Sequence, residues 1–142
     1  MADTNLVSTR WLGGMAFESS NPSGLSLRID ASPEDGGAGS GLRPKALMLS
    51  ALAGCSGLDV ASIIQKMKLE VRDFHIDIHA NLSESQPQTY ISLRLEFHFY
   101  GANLDLKKLE RAVYLSLDKY CGVMAMFRNF AETTSTVILH EQ

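Results

Sequence analysis

Ala46-Leu47-Met48-Leu49-Ser50-Ala51-Leu52-Ala53-Gly54-Cys55-Ser56-Gly57-Leu58-Asp59-Val60-Ala61-Ser62-Ile63-Ile64 is apolar on nearly every side. Pro44, just upstream, suits the first turn of a helix, where its missing N–H leaves no bond unmade. The run predicts a helix from Pro44 to about Lys68, with Cys55 near its middle. A helix apolar all round belongs in a protein core or a bilayer. Asp59, Gly54, Gly57 and the serines at 50, 56 and 62 decide for a core, because an aspartate at the centre of a membrane helix costs roughly 2.5–3.5 kcal/mol. No membrane association is expected.

Upstream, the pattern is of short strands and turns. Leu6 to Trp11 is strand-like, Gly13-Gly14 turns the chain into Met15-Ala16-Phe17, and Asn21-Pro22-Ser23-Gly24 turns it again. Leu25, Leu27 and Ile29 then alternate with Ser26, Arg28 and Asp30. A three-stranded antiparallel meander follows from this. The segment from Ser32 to Leu42 is glycine-rich with nothing apolar to bury, and reads as a flexible linker or flap.

Downstream, Phe74, Ile76, Ile78 and Ala80 share one face of a strand, and Ile91, Leu93, Leu95, Phe97 and Phe99 share one face of the next. The polar stretch Asn81 to Gln88 joins them as a hairpin loop. Asn103-Leu104-Asp105 caps a second helix through about Tyr120, with Leu106, Leu109, Val113 and Leu117 on its buried stripe. Cys121-Gly122 breaks it, Val123 to Phe130 forms a short third helix, and β-branched Thr133 to His140 forms a last strand. The order βββ-α-ββ-α-α-β is α+β rather than alternating α/β. A long central helix with so much apolar surface also hints at a partner subunit.

At 142 residues the chain is read as one domain, 1–142, that buries roughly two-thirds of its unfolded surface. With 45% hydrophobic and 20% charged residues its composition is that of a globular protein. A net charge of -3 and the lack of a Lys/Arg block argue against nucleic acid as a partner. Met1-Ala2-Asp3-Thr4-Asn5 has no basic segment leading into an apolar one, so no secretory signal is expected. Two cysteines without a signal fit a cytoplasmic protein, where a disulfide is more often catalytic or sensing than structural.

Gly36-Gly37-Ala38-Gly39-Ser40-Gly41 lies between a strand and a helix, but Leu42 stands where a dinucleotide fingerprint needs a small residue, and no Gly-Lys-Ser/Thr closes a phosphate loop. Of the four histidines, His75 and His79 share a strand face about 13 Å apart, too far for one metal. His79 and His98 are expected to face each other across the hairpin near Asp77 and Glu96. Since these positions alternate with the apolar face, a solvated polar face without metal is the reading. No serine sits in a Gly-x-Ser-x-Gly elbow. The thiols remain. Gly54 and Gly57 flank Cys55 at a cost of about 1 kcal/mol each in helix stability, which means either close helix packing or a thiol left accessible. Asp59, one turn on, disfavours a thiolate. The pair is either redox-active or two buried thiols acting as small hydrophobes.

Arg43 to Val60, with its Leu52-Ala53-Gly54-Cys55-Ser56-Gly57-Leu58-Asp59, resembles the central cysteine helix of the OsmC/Ohr family, the osmotically induced and organic-hydroperoxide-resistance proteins. Leu115-Ser116-Leu117-Asp118-Lys119-Tyr120-Cys121-Gly122-Val123 resembles that family's second cysteine motif. The element order and cysteine spacing fit along nearly the whole chain. The resemblance implies an intertwined α+β homodimer with buried cysteine helices and sites at the subunit interface. It implies that Cys55 attacks an organic hydroperoxide or hydrogen peroxide and that Cys121 resolves the sulfenic acid to a disulfide. An external thiol or dithiol then reduces it, and no cofactor is required. The peroxidases of the family are similar to one another in an arginine near the first hairpin and a glutamate ten positions before the peroxidatic cysteine. Here those positions hold Met15 and Lys45, so the likeness is to a less characterised branch. Arg10, Arg43 and Lys45 are the candidates for activating the thiolate. A relative that kept the thiols but binds a ligand without catalysis is the alternative.

Overall fold

The computed structural model describes residues 3–142; Met1 and Ala2, where the segment read for a secretory signal begins, lie outside them. Among the described residues the chain runs β1 (Ser8–Gly13), β2 (Ala16–Ser20), β3 (Ser26–Ile29), a 3-10 turn (Pro33–Asp35), α1 (Pro44–Lys66), β4 (Asp73–Leu82), β5 (Tyr90–Gly101), α2 (Leu106–Leu115), a π turn (Ser116–Tyr120), α3 (Gly122–Phe127) and β6 (Glu132–Glu141). This is the expected α+β order. The strands form two three-stranded sheets, β1-β2-β3 and β4-β5-β6. Backbone contacts divide the chain into a first unit ending at Leu49 and a second from Ser50 to Gln142.

The first unit is built on the meander. Gly13 and Gly14, at φ +100° and +57°, make the turn from β1 to β2, and the Trp11 indole N–H donates to the Gly14 carbonyl at 2.9 Å. Phe17 stands opposite Trp11 on one side and Ile29 on the other. The glycine-rich segment that follows is not a slack linker. It closes around the Asp30 carboxylate, which is 2% exposed. Oδ1 accepts the Ala31 N–H at 2.8 Å. Oδ2 accepts the Ala38 N–H at 3.1 Å, the Ser40 N–H at 3.0 Å and the Ser40 hydroxyl at 2.7 Å. Glycine is required where the loop doubles back, since a Cβ on Gly37 would sit 2.0 Å from the Ala31 carbonyl oxygen. The composition of the loop suggested slackness because its one organising group, Asp30, lies outside it.

In the second unit β5 is the middle strand, antiparallel to β4 and parallel to β6. Leu93, Leu95, Phe97 and Phe99 are buried on one face of β5, as are Leu109, Ala112 and Val113 of α2, Leu117, Met124, Phe127, and Leu52 and Val60 of α1. Alternation in the strand and spacing in the helix account for these positions. Ile91 is the exception at 51% exposure. A bulge between the Asn81–Ser92 and Leu82–Tyr90 pairs leaves Ile91 unpaired, which reverses the alternation and buries Tyr90 instead. The same register sets His75 opposite His98 and His79 opposite Arg94, so the expected His79–His98 pairing is replaced by another.

Helix ends follow local chemistry. Asp105 caps α2 by accepting the Lys108 N–H at 3.2 Å, and Leu106, expected on the buried stripe, is 44% exposed in the first turn. The predicted run to Tyr120 becomes α helix to Leu115 and then a π turn. α1 ends at Lys66 rather than Lys68, because Lys68 turns left-handed at φ +55°.

The donors on Asp30, the Ser40 hydroxyl foremost, hold its carboxyl below the ordinary 3.8 against the opposing effect of burial. A carboxyl with a lowered folded pKa stabilises above its unfolded value, and that stability is lost as pH falls through the folded value. Hydrogen-exchange protection of the Ala38 and Ser40 amides is therefore expected at pH 5–7, decaying only below about pH 3.8, and abolished at every pH in Asp30→Ala. Unchanged protection in that variant would contradict the assignment.

Candidate functional site

Cys55 sits mid-way along α1, and its two glycine neighbours differ. A Cβ on Gly57 would meet Ile76 Cδ1 at 3.4 Å, so Gly57 serves close packing of α1 on β4. A Cβ on Gly54 would meet nothing within 4 Å. The helix is packed on one side of the thiol and open on the other, and Cys55 is half-buried.

Cys121 stands where the π turn hands over to α3. Its N–H donates to the Ser116 carbonyl at 2.7 Å. Its sulfur caps α3 by accepting the Met124 N–H at 3.4 Å. The residue is 3% exposed. Cys55 is an electrostatic neighbour of Cys121, so two residues far apart in sequence lie near each other in the fold. Burial, with smaller additions from Cys55 as hydrogen-bond partner and neighbouring charge, pushes the Cys121 thiol up to about 11, against the pull of the Met124 and Val123 amides. Cys121 is thus a protonated thiol at neutral pH. Two free thiols near each other, one half-buried and one enclosed, can pass between dithiol and disulfide.

Beside the thiols runs a polar chain that the sequence reading missed, its two serines buried and its aspartate half-buried. The Ser116 hydroxyl donates to Asp59 Oδ2 at 2.9 Å. Its one proton being used, it accepts from the Ser56 hydroxyl, also at 2.9 Å. Both serines are completely buried. Asp59 is therefore engaged with a hydroxyl beside the thiols, not merely a charge one turn along. The signal was present in outline: Ser56 and Asp59, three apart on one helix face, next to Cys55. Arg128 secures the π turn from its other side, donating from Nη1 to the Leu117 carbonyl at 3.1 Å and pairing with Asp118 Oδ1 at 2.7 Å. A cleft of about 630 Å³ opens beside this seam, bordered by Asp59, Lys66, Arg111 and Tyr120.

Arg10, Arg43 and Lys45 all lie in the first unit. Arg10 is exposed on β1 opposite Glu18. Arg43 Nη1 donates to the carbonyls of Gly41 at 2.9 Å and Asp30 at 3.3 Å, fastening the loop. Lys45 is exposed in the first turn of α1, and Met15 is 49% exposed at the β1–β2 hairpin.

The sequence profile of a family described as OsmC-like protein matches residues 37–136. Protein YhfA of Escherichia coli K12 is 30% identical over 125 residues, covering 88% of this chain and 90% of that one. A protein of Aquifex aeolicus VF5 has a crystal structure similar to this one, with a TM-score of 0.80, 28% identity and coverage of 99% and 100% of the two chains. The organic hydroperoxide resistance protein OsmC of Legionella pneumophila has the same fold at a TM-score of 0.70, 18% identity and coverage of 97% and 98%.

Thiolates, not thiols, react with alkylating and disulfide reagents. With a pKa of about 11, Cys121 is roughly one part in 1,000 thiolate at pH 8. Iodoacetamide followed by peptide mapping should therefore modify Cys55 well before Cys121. Equal labelling of both would contradict the enclosure of Cys121.

Proposed function

The chain belongs to the OsmC-like protein family, and on that footing we propose that it is a thiol-dependent hydroperoxide reductase. The nearness of a half-buried Cys55 to an enclosed, protonated Cys121 carries the reading. The Cys55 thiolate attacks the distal oxygen of ROOH, an S–O bond forms as O–O breaks, and RO⁻ takes a proton to leave as alcohol. Cys121 sulfur then attacks the Cys55 sulfenic acid. The S–S bond forms as S–O breaks, and the Cys121 proton leaves with the hydroxyl as water. Two external thiols, or one dithiol, restore both cysteines by exchange and leave as the disulfide. The enclosure of Cys121 suits this order, since a resolving thiol that stays protonated does not compete for peroxide.

The protein acts in this reading as a cytoplasmic homodimer. Within one chain α1 leaves Leu58 76% and Met48 45% exposed, and a second copy is the occupant that covers this apolar helix. A second reading is favoured by the residues at the activating positions. Met15 and Lys45 replace the arginine and glutamate, and Arg43 is engaged with loop carbonyls. In that reading the protein binds a ligand and its thiols react no faster than free cysteine.

Thiol titration after cumene hydroperoxide separates the two. The reductase loses both thiols within seconds, Cys121→Ser accumulates a trappable sulfenic acid, and Cys55→Ser loses peroxide turnover by at least roughly 1,000-fold. The same sample sediments at twice the 15.6 kDa chain mass. Slow, equal oxidation of both cysteines would establish the ligand-binding reading instead.

A further inference from the structure

The face of the β4-β5-β6 sheet turned away from its apolar side carries all four histidines of the chain. Strand alternation puts His75, Asp77 and His79 of β4 on that face, together with Glu96 and His98 of β5 and His140 of β6. The antiparallel register sets His75 opposite His98 and Asp77 opposite Glu96. The His75 and His98 rings lie parallel, 4.5 Å apart and 5° from coplanar. Both present Nε2 to the same oxygen, Asp77 Oδ2, at 3.4 Å and 3.7 Å. The three donor atoms lie within 4.8 Å of one another.

Those separations are long for hydrogen bonds, which centre near 2.9 Å for nitrogen and oxygen. They are right for donors that share an ion. Two ligands each about 2.1 Å from a tetrahedral cation stand about 3.4 Å apart. Glu96 Oε1 stands 3.2 Å from the same His98 Nε2, beside the three donors. Glu96 Oε2 is engaged separately by Arg94. Behind the site, His98 Nδ1 is 2.9 Å from His140 Nε2. A ligating imidazole needs such a partner for its second nitrogen, which sets its tautomer and holds its ring. Either ring can donate across that bond. His98 can thus release the Nε2 proton to solvent and keep an Nδ1–H pointed at His140.

We propose that His75, Asp77 and His98 form a three-ligand binding site for one divalent cation of the zinc type. Two imidazoles and one carboxylate are a borderline donor set that suits zinc, nickel or copper over magnesium or calcium. His140 positions His98. The site lies wholly within the second unit and is independent of the thiols.

Zinc titration of the full chain by calorimetry tests this, in a Cys55→Ser/Cys121→Ser background that removes thiolate ligands. The site predicts one Zn²⁺ per chain, affinity at least 10-fold weaker in His75→Ala and in His98→Ala, and a loss of 10-fold or more in His140→Ala. It also predicts perturbed His75 and His98 ring resonances on adding Zn²⁺. Glu84→Gln, on the β4–β5 loop, leaves binding unchanged. His75 is exposed, 44% at its side chain, so its variant folds and keeps the test decisive if His98→Ala does not. No Zn²⁺ bound by the cysteine-free protein, or affinity unchanged in His75→Ala, overturns the proposal.

Discussion

The polar chain from the buried Ser56 and Ser116 hydroxyls to the half-buried Asp59 carboxylate is the constraint on which the rest of the second unit depends. Hydrogen bonds to a charged group contribute about 1.5–3 kcal/mol net, and a buried partner left unsatisfied costs about as much. This chain therefore rejects any alignment of α1 against the π turn other than the one that joins all three groups. Apolar contacts alone would tolerate sliding of a helix as uniformly apolar as α1. The polar chain removes that freedom one residue away from Cys55 and five before Cys121.

From that alignment the inequality of the thiols follows. The π turn ends by placing Cys121 at the N-terminus of α3, with its N–H held by Ser116 and its sulfur turned to the Met124 amide. Enclosure then outweighs the pull of those amides and keeps the thiol protonated. Cys55 escapes enclosure because Gly54 leaves the helix open on one side, while Gly57 brings the other side close to Ile76. One pair of glycines thus accounts for both tight packing and access, which local sequence presents as alternatives.

The element order was legible because it rests on local chemistry: alternation in β4 and β5, Pro44 and Asp105 at helix starts, glycine pairs at turns. Both cysteines could be singled out, and the motifs around them point to the family that the profile match establishes. What stayed hidden depends on register or on distant partners. Ile91 leaves its expected face because of a single bulge. The loop after β3 looked slack because Asp30, which organises it, lies outside the glycine-rich run. The histidines read as a polar face, and the register that sets His75 rather than His79 opposite His98 was not legible in it. Ser116 could not be linked to Asp59 from sequence, since no local pattern records a contact between separate helical segments.

The account turns on Cys55 and Cys121 being partners within one chain. Mass spectrometry of protease-digested protein, after one equivalent of cumene hydroperoxide and blocking of residual thiols, reads that directly. The account predicts a single cross-linked species joining the Cys55 and Cys121 peptides, two hydrogens lighter than their sum and formed at protein dilutions that suppress contact between molecules. Cys55 recovered as a sulfinic or sulfonic acid beside an unmodified Cys121 would contradict it.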